Sequence, residues 1–178
     1  MSAADEDIWQ HADRLYAARA AMAEAQSRPR GLGVAELVQF LLDRNRSLSA
    51  AEQQALFASP QLRADFQRLK SQLRIVELPA QAAASAGAAD TRRFDGGSVR
   101  LHPSRVAGQV YVLFQFTWPT GTPAAVLLEG VDGHLVKRPL PAGDATGQVV
   151  LVLDQSSDPD QMFLQLIADP RTVGSFLL

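Results

Sequence analysis

The chain has 178 residues, of which 47% are hydrophobic and 20% charged, enough to bury the core of one large domain or of two small ones and to exclude wholesale disorder. Seventeen Lys plus Arg against nineteen Asp plus Glu give a formal net charge of -2, so there is no global field to attract a polyanion, and nucleic-acid binding is disfavoured. Cysteine is absent, which removes disulfides and thiolate metal ligands and fits a reducing compartment.

The first residues, MSAADEDIWQ, are acidic and lack both a basic start and an apolar run, so no secretory signal is expected. No segment reaches the apolar length of a membrane span, and a soluble, cytoplasmic protein is expected. Ile8, Ala12, Leu15, Tyr16 and Met22 can share one face of a helix over about residues 5–26, which SRPRGLG ends. Val34, Leu37, Val38, Leu41 and Leu42 fall at i, i+3, i+4, i+7 and i+8 and predict a second helix. Ser49 with Glu52 has the spacing of a capping box, so a third helix should begin there and end near Leu56 and Phe57. Ser59 can cap a fourth, with Pro60 at its first position, where a missing amide hydrogen costs nothing. Leu62, Phe66, Leu69, Leu73 and Val76 then alternate spacings of four and three, a seam for the other helices or for a partner helix. Arg63, Arg68, Lys70 and Arg74 lay positive charge on this last helix, either as a solvated face or toward acidic residues of a partner.

Within this stretch, "LSAAE" at Leu48 to Glu52 and "SPQLRADFQRL" at Ser59 to Leu69 resemble the anti-sigma domain, a small bacterial helical module that holds extracytoplasmic-function sigma factors. The resemblance covers roughly residues 34–76 and implies a helical bundle with a sigma factor as partner. The positions of the family's metal ligands are taken by Ala55, Ser59 and Leu62. Ala and Leu offer no lone pair to zinc, so the likeness is to the zinc-free members. Relatives of that type usually continue into a membrane helix that relays an envelope signal, whereas here sensing would fall to the C-terminal half.

PAQAAASAGAAD, residues 79–90, has no large side chain to bury, and its Pro ends the preceding helix, which suggests a connector. After TRRFDGG the pattern turns to alternation. VRLHPSR reads as a short strand and QVYVLFQFTW as the strongest one, apolar on both faces and so expected to be covered on both. AAVLLEG and HLVKRPL flank Asp132-Gly133, a hairpin signal, and GQVVLVLDQ is a further strand. Asp158-Pro159 with Met162, Phe163, Leu166 and Ile167 favours a short helix over 159–168, before a last strand in TVGSFLL.

Little in the chain suggests catalysis. His11, His102 and His134 lack metal-ligand spacing, and a triad of Ser104, His134 and Asp154 has no nucleophile elbow to support it. GLGVAE follows no predicted strand and reads as a turn rather than a dinucleotide loop. Asp154, Asp158 and Asp160 depart from calcium-loop spacing. Tyr111, Phe114, Phe116 and Trp118 suit either a core or an aromatic ligand surface.

The expected fold class is therefore α+β. It comprises a small N-terminal bundle of three to four helices over residues 1–78, an Ala-rich linker over 79–97 and an antiparallel β-sandwich or partly open barrel over 98–178. The expected function is that of a non-catalytic regulatory protein without cofactor or metal. It would bind a protein, with a sigma factor as the candidate, through Leu62, Phe66, Leu69, Leu73, Arg63 and Arg74. The alternative is an adaptor or structural subunit that docks through the β half, with proteolysis of an exposed linker as a means of separating the halves.

Overall fold

Two serines start two consecutive helices, as their spacing predicts. In the computed structural model, which describes residues 31–81, 91–117 and 122–177, Ser49 Oγ accepts from the Glu52 amide at 3.3 Å while Glu52 Oε2 accepts from the Ser49 amide at 2.8 Å. The Ser49 amide and hydroxyl, both donating to that carboxylate at 2.8 Å, hold it below its usual pKa, and the box begins α2 (Ala50–Ala58). Ser59 Oγ accepts from the Leu62 amide at 3.3 Å and begins α3 (Pro60–Leu73), with proline in its first turn. Before them runs α1 (Val34–Leu42), whose start is held by the Glu36 carboxylate accepting from the Gly33 amide at 3.1 Å. The helix expected over 5–26, with His11, lies outside the described residues.

The fourth expected helix stops three residues early. Arg74–Leu78 is a strand, β1, paired antiparallel with β8 (Val173–Leu177) in the register Val76↔Phe176 and Leu78↔Gly174. Ile75 and Val76 are β-branched and favour the extended backbone, and Leu78 is fully buried there; the helical spacing of Val76 is coincidental. Gly174 is required opposite it, because a Cβ at that position would lie 2.9 Å from the Leu78 Cβ. The linker expected over residues 79–97 is also too long. Thr91–Phe94 is strand β2, joined to β3 (Gly97–Pro103) by a tight turn in which Gly96 has φ 83.

The remaining elements are β4 (Gln109–Phe116), β5 (Ala125–Glu129), β6 (Leu135–Pro139), β7 (Gln148–Asp154) and α4 (Asp158–Ala168). The strands form two antiparallel four-stranded sheets, β1-β8-β5-β6 and β2-β3-β4-β7. Their inward residues share one core. Leu78, Val126, Leu128 and Phe176 come from the first sheet, Val99, Val112, Phe114, Phe116 and Val149 from the second, and Phe163 and Ile167 from α4. Phe176 stands edge-on to Phe116, with ring centroids 5.2 Å apart and planes at 87°.

A second core lies on the other side of the first sheet. Leu37, Phe40 and Leu41 of α1, Leu56 of α2 and Phe66 of α3 pack with Leu127, Leu135 and Leu177, the outward residues of β5, β6 and β8. The helices thus form a layer on the sheet, and Leu32–Leu178 is one compact unit rather than a helical body tethered to a β body. Polar ties reinforce the contact. Lys70 Nζ donates to Glu129 Oε2 at 2.7 Å, and Gln53 Oε1 accepts from the Leu135 amide at 3.1 Å on the edge strand β6.

Candidate partner-binding face

The predicted partner-binding residues sit on α3, and the structure divides them into two groups. Phe66 is 1% exposed and lies in the helix-to-sheet core, with Leu62, Leu69 and Leu73 partly buried against that cluster. This seam is filled by the chain's own strands. Arg74 pairs with Glu77, and Arg63 is exposed. Of the other two basic residues on the helix, Arg68 pairs with Asp65 at 2.8 Å and Lys70 with Glu129 at 2.7 Å.

The second sheet has no such cover among the described residues. Paired residues on neighbouring strands point to the same side, so the register gives the outward face directly. One row is His102, Tyr111 and Val152; the next is Thr91, Arg100, Leu113 and Val150; the third is Arg93, Ser98, Gln115 and Gln148. The centre of this face is apolar: Tyr111 and Leu113 are half-buried, and Val150 and Val152 are 42% and 56% exposed. Strand β4 was expected to be covered on both sides, yet only the side carrying Val112, Phe114 and Phe116 is buried. The expected aromatic surface divides accordingly: Phe114 and Phe116 are core, Tyr111 faces outward, and Trp118 lies outside the described residues.

Positive charge borders the apolar centre on one side. With strands about 4.8 Å apart, Arg100 stands roughly one strand from Leu113, and Arg93 roughly two strands from Gln115. Both arginines are exposed, and neither joins an ion pair among the described residues. Asp154, opposite Gln109 on β7, is the carboxylate at the far corner. Sequence reasoning missed this sidedness because VVLVL is apolar at every position, which hides the alternation between Val149 and Leu153 inside and Val150 and Val152 outside.

The candidate catalytic groups are each engaged in their own turn. Ser104 Oγ accepts from the Val106 amide at 3.0 Å, His134 Nε2 lies 3.7 Å from Asp132, and Asp154 accepts from Ser156. Those bonds from Ser156 hold the Asp154 carboxyl below its usual pKa, as a turn-capping carboxylate requires. Asp160 pairs with Arg138 and accepts from the Asp154 amide, and among the described residues no cluster of three metal-ligating side chains forms. Gly33 of GLGVAE precedes α1 as its cap residue.

Two clefts flank the helical layer. One, of about 480 Å³, is lined by Gln67, Lys70, Arg74, Glu77, Glu129 and Arg171, a polar set in which Lys70 with Glu129, Arg74 with Glu77, and Arg171 with Asp169 are already paired. The other, of about 510 Å³, lies between α1, β6 and α4 and includes Lys137. The Lys137 ammonium is buried, lies 4.2 Å over the Phe40 ring, and donates to the carbonyls of Phe40 and Asp43 where α1 ends. Burial lowers its pKa to about 8, partly opposed by Asp43. Comparison with known protein families, curated proteins and solved structures gives no match, so the functional reading rests on this geometry.

Proposed function

We propose that this is a non-catalytic protein-binding module that docks a partner through the outward face of its second sheet. The observation that carries the reading is the contrast between the α3 seam, filled by Leu127, Leu135 and Leu177, and the quartet Tyr111, Leu113, Val150 and Val152, which none of the described residues covers. The sandwich-like pairing of two sheets is then a scaffold, with one outer surface given to the chain's own helices and the other to a partner. Arg93 and Arg100, without an ion pair among the described residues, lie beside the quartet and define that partner's chemistry: an amphipathic protein segment with an apolar stripe over β4 and β7 and carboxylates over β2 and β3. Docking on a face rather than along an edge suits a helix, whose apolar stripe packs on a sheet without strand pairing. This favours the adaptor reading over capture through α3. The anti-sigma likeness of residues 34–76 makes a sigma factor the first partner to test, in a regulatory role.

The test is photo-crosslinking from position 152 of the full chain in host cells, with identification of the crosslinked peptide. The expected product is one protein, crosslinked through an amphipathic acidic segment. Crosslinking should fall with Val150→Glu and weaken with paired reversal of Arg93 and Arg100 to Glu. Crosslinking that is diffuse, or indifferent to these substitutions, overturns the reading. A defined product from the exposed helical residue Arg63, with none from position 152, returns the partner site to α3.

A further inference from the structure

We propose that the cleft between α1, β6 and α4 binds a small organic anion, a single carboxylate carried on an apolar body. Its volume of about 510 Å³ is within the range of ligand sites, and it is built from three separate parts of the chain. Phe40 and Leu48 come from the helical layer, Leu135 from β6, and Pro159 and Met162 from the first turns of α4, giving an apolar lining suited to a hydrocarbon or an aromatic ring.

Charge selects the head group. Three cations line the cleft: Arg44, Lys137 and Arg138. Arg138 is neutralised by Asp160. Lys137 donates to the carbonyl oxygens of Phe40 and Asp43 rather than to a carboxylate. Exposed Arg44 has no ion pair among the described residues. Against Arg44 and Lys137 stands one lining carboxylate, Asp158, which leaves a surplus of one positive charge beside an apolar wall. The positive end of the α4 dipole adds to it, because the first turn of that helix forms part of the rim. Arg44 lies at the exposed end of this arrangement, where a guanidinium can meet a carboxylate while the body reaches inward. Occupancy would bridge the helical layer, β6 and α4, so such a ligand would act as an effector of the fold, independently of the partner face on the other sheet.

Decanoate, with decanol as its neutral counterpart, tests this on the full chain by titration calorimetry below the micellar concentration. Saturable one-to-one binding of decanoate is expected, with decanol about two- to fivefold weaker, the difference an exposed ion pair supplies. Arg44→Glu should lower decanoate affinity by about tenfold or more without changing decanol binding, and Met162→Trp should abolish both by filling the cleft. Arg44 and Met162 are exposed, and an unchanged urea midpoint in each variant confirms that the fold is intact. Absence of saturable binding, equal affinity for acid and alcohol, or indifference to both substitutions overturns the proposal.

Discussion

The two sheets have outward faces of similar chemistry and opposite fates. On the first, Leu127, Leu135 and Leu177 are 1%, 4% and 1% exposed because three helices lie over them. On the second, Val150 and Val152 remain 42% and 56% exposed with nothing over them among the described residues. An apolar face carries the same driving force in both places, so what differs is who supplies the cover. Where the chain covers the face itself, the apolar stripe of the covering helix is used up and becomes part of the fold. Where none of the described residues covers it, the face stays available to another molecule.

The sharpest way to break this contrast is to remove the centre of the covered side. Phe66→Ala deletes a ring that is 1% exposed and in contact with Phe40, at a centroid distance of 6.4 Å, and should cost about 3–5 kcal/mol. Because Phe66 shares its cluster with β5, β6 and β8, urea unfolding followed by helix ellipticity and by the NMR signal of the Val112 amide in β4 should shift together to lower midpoint. If the Val112 signal keeps its wild-type midpoint while the helices melt, the helices are a separate body.

A second large effect is expected at a residue that neither surface displays. Arg92 of β2 is 6% exposed and donates to four backbone carbonyls, at 2.9 Å to Pro79, 2.7 Å to Thr172, 3.2 Å to Ile167 and 3.3 Å to Asp169. Those bonds tie the chain after β1 to the end of α4 and the approach to β8. Burial lowers the guanidinium's pKa, with Asp169 opposing. Arg92→Met keeps the length and removes the donors, leaving buried carbonyls unpaired at a cost of about 2–4 kcal/mol. Stability equal to wild type would mean that water satisfies those carbonyls in the variant.

Arg92 also marks the limit of what the sequence conveys. Local signals were legible: the Ser49 and Glu52 box, Ser59-Pro60, the turn at Asp132-Gly133, the helix after Ser157 and the last strand all form as their residues imply. Each depends on groups a few positions apart. The same Asp-Gly signal stands at Asp95-Gly96, but the Ala-rich stretch before it hides Thr91–Phe94, which is strand β2 rather than linker. The fate of the α3 seam was not legible at all. Phe66 and Leu69 have the periodicity of an interface whether the other side is a partner or a strand more than fifty residues away, and only the tertiary pairing decides.

The covered side also has a pH signature. Lys137 titrates at about 8 in the fold because burial penalises its ammonium, whereas an unfolded lysine titrates near 10.4. Between those values the unfolded chain holds a proton that the folded chain has released, so stability rises with pH from about 8 to about 10. The contribution is on the order of 1–3 kcal/mol, and Lys137→Met should remove the rise. Urea midpoints at pH 7.5 and pH 10 for both proteins measure it. A wild type whose stability stays flat over this window, after subtraction of the variant, would show that the ammonium is solvated, and one that loses stability would show that the carbonyls of Phe40 and Asp43 and the Phe40 ring hold it charged.

The smallest expected effect on stability tests the open side. Val150→Thr with Val152→Thr keeps β-branched side chains on β7, so strand propensity is retained, and each new hydroxyl points to solvent rather than into the core. The fold should change by no more than about 0.5 kcal/mol, in contrast to the Phe66 variant. Capture of a partner, by contrast, should fall sharply, because the lost apolar contact lies at the centre of the docking face. This combination separates interface from core: residues that build the fold cannot be made polar without melting it, and residues that only meet a partner can. A loss of 2 kcal/mol or more would place Val150 and Val152 under a cover supplied by the chain itself, and the two faces would then differ in kind less than their exposure implies.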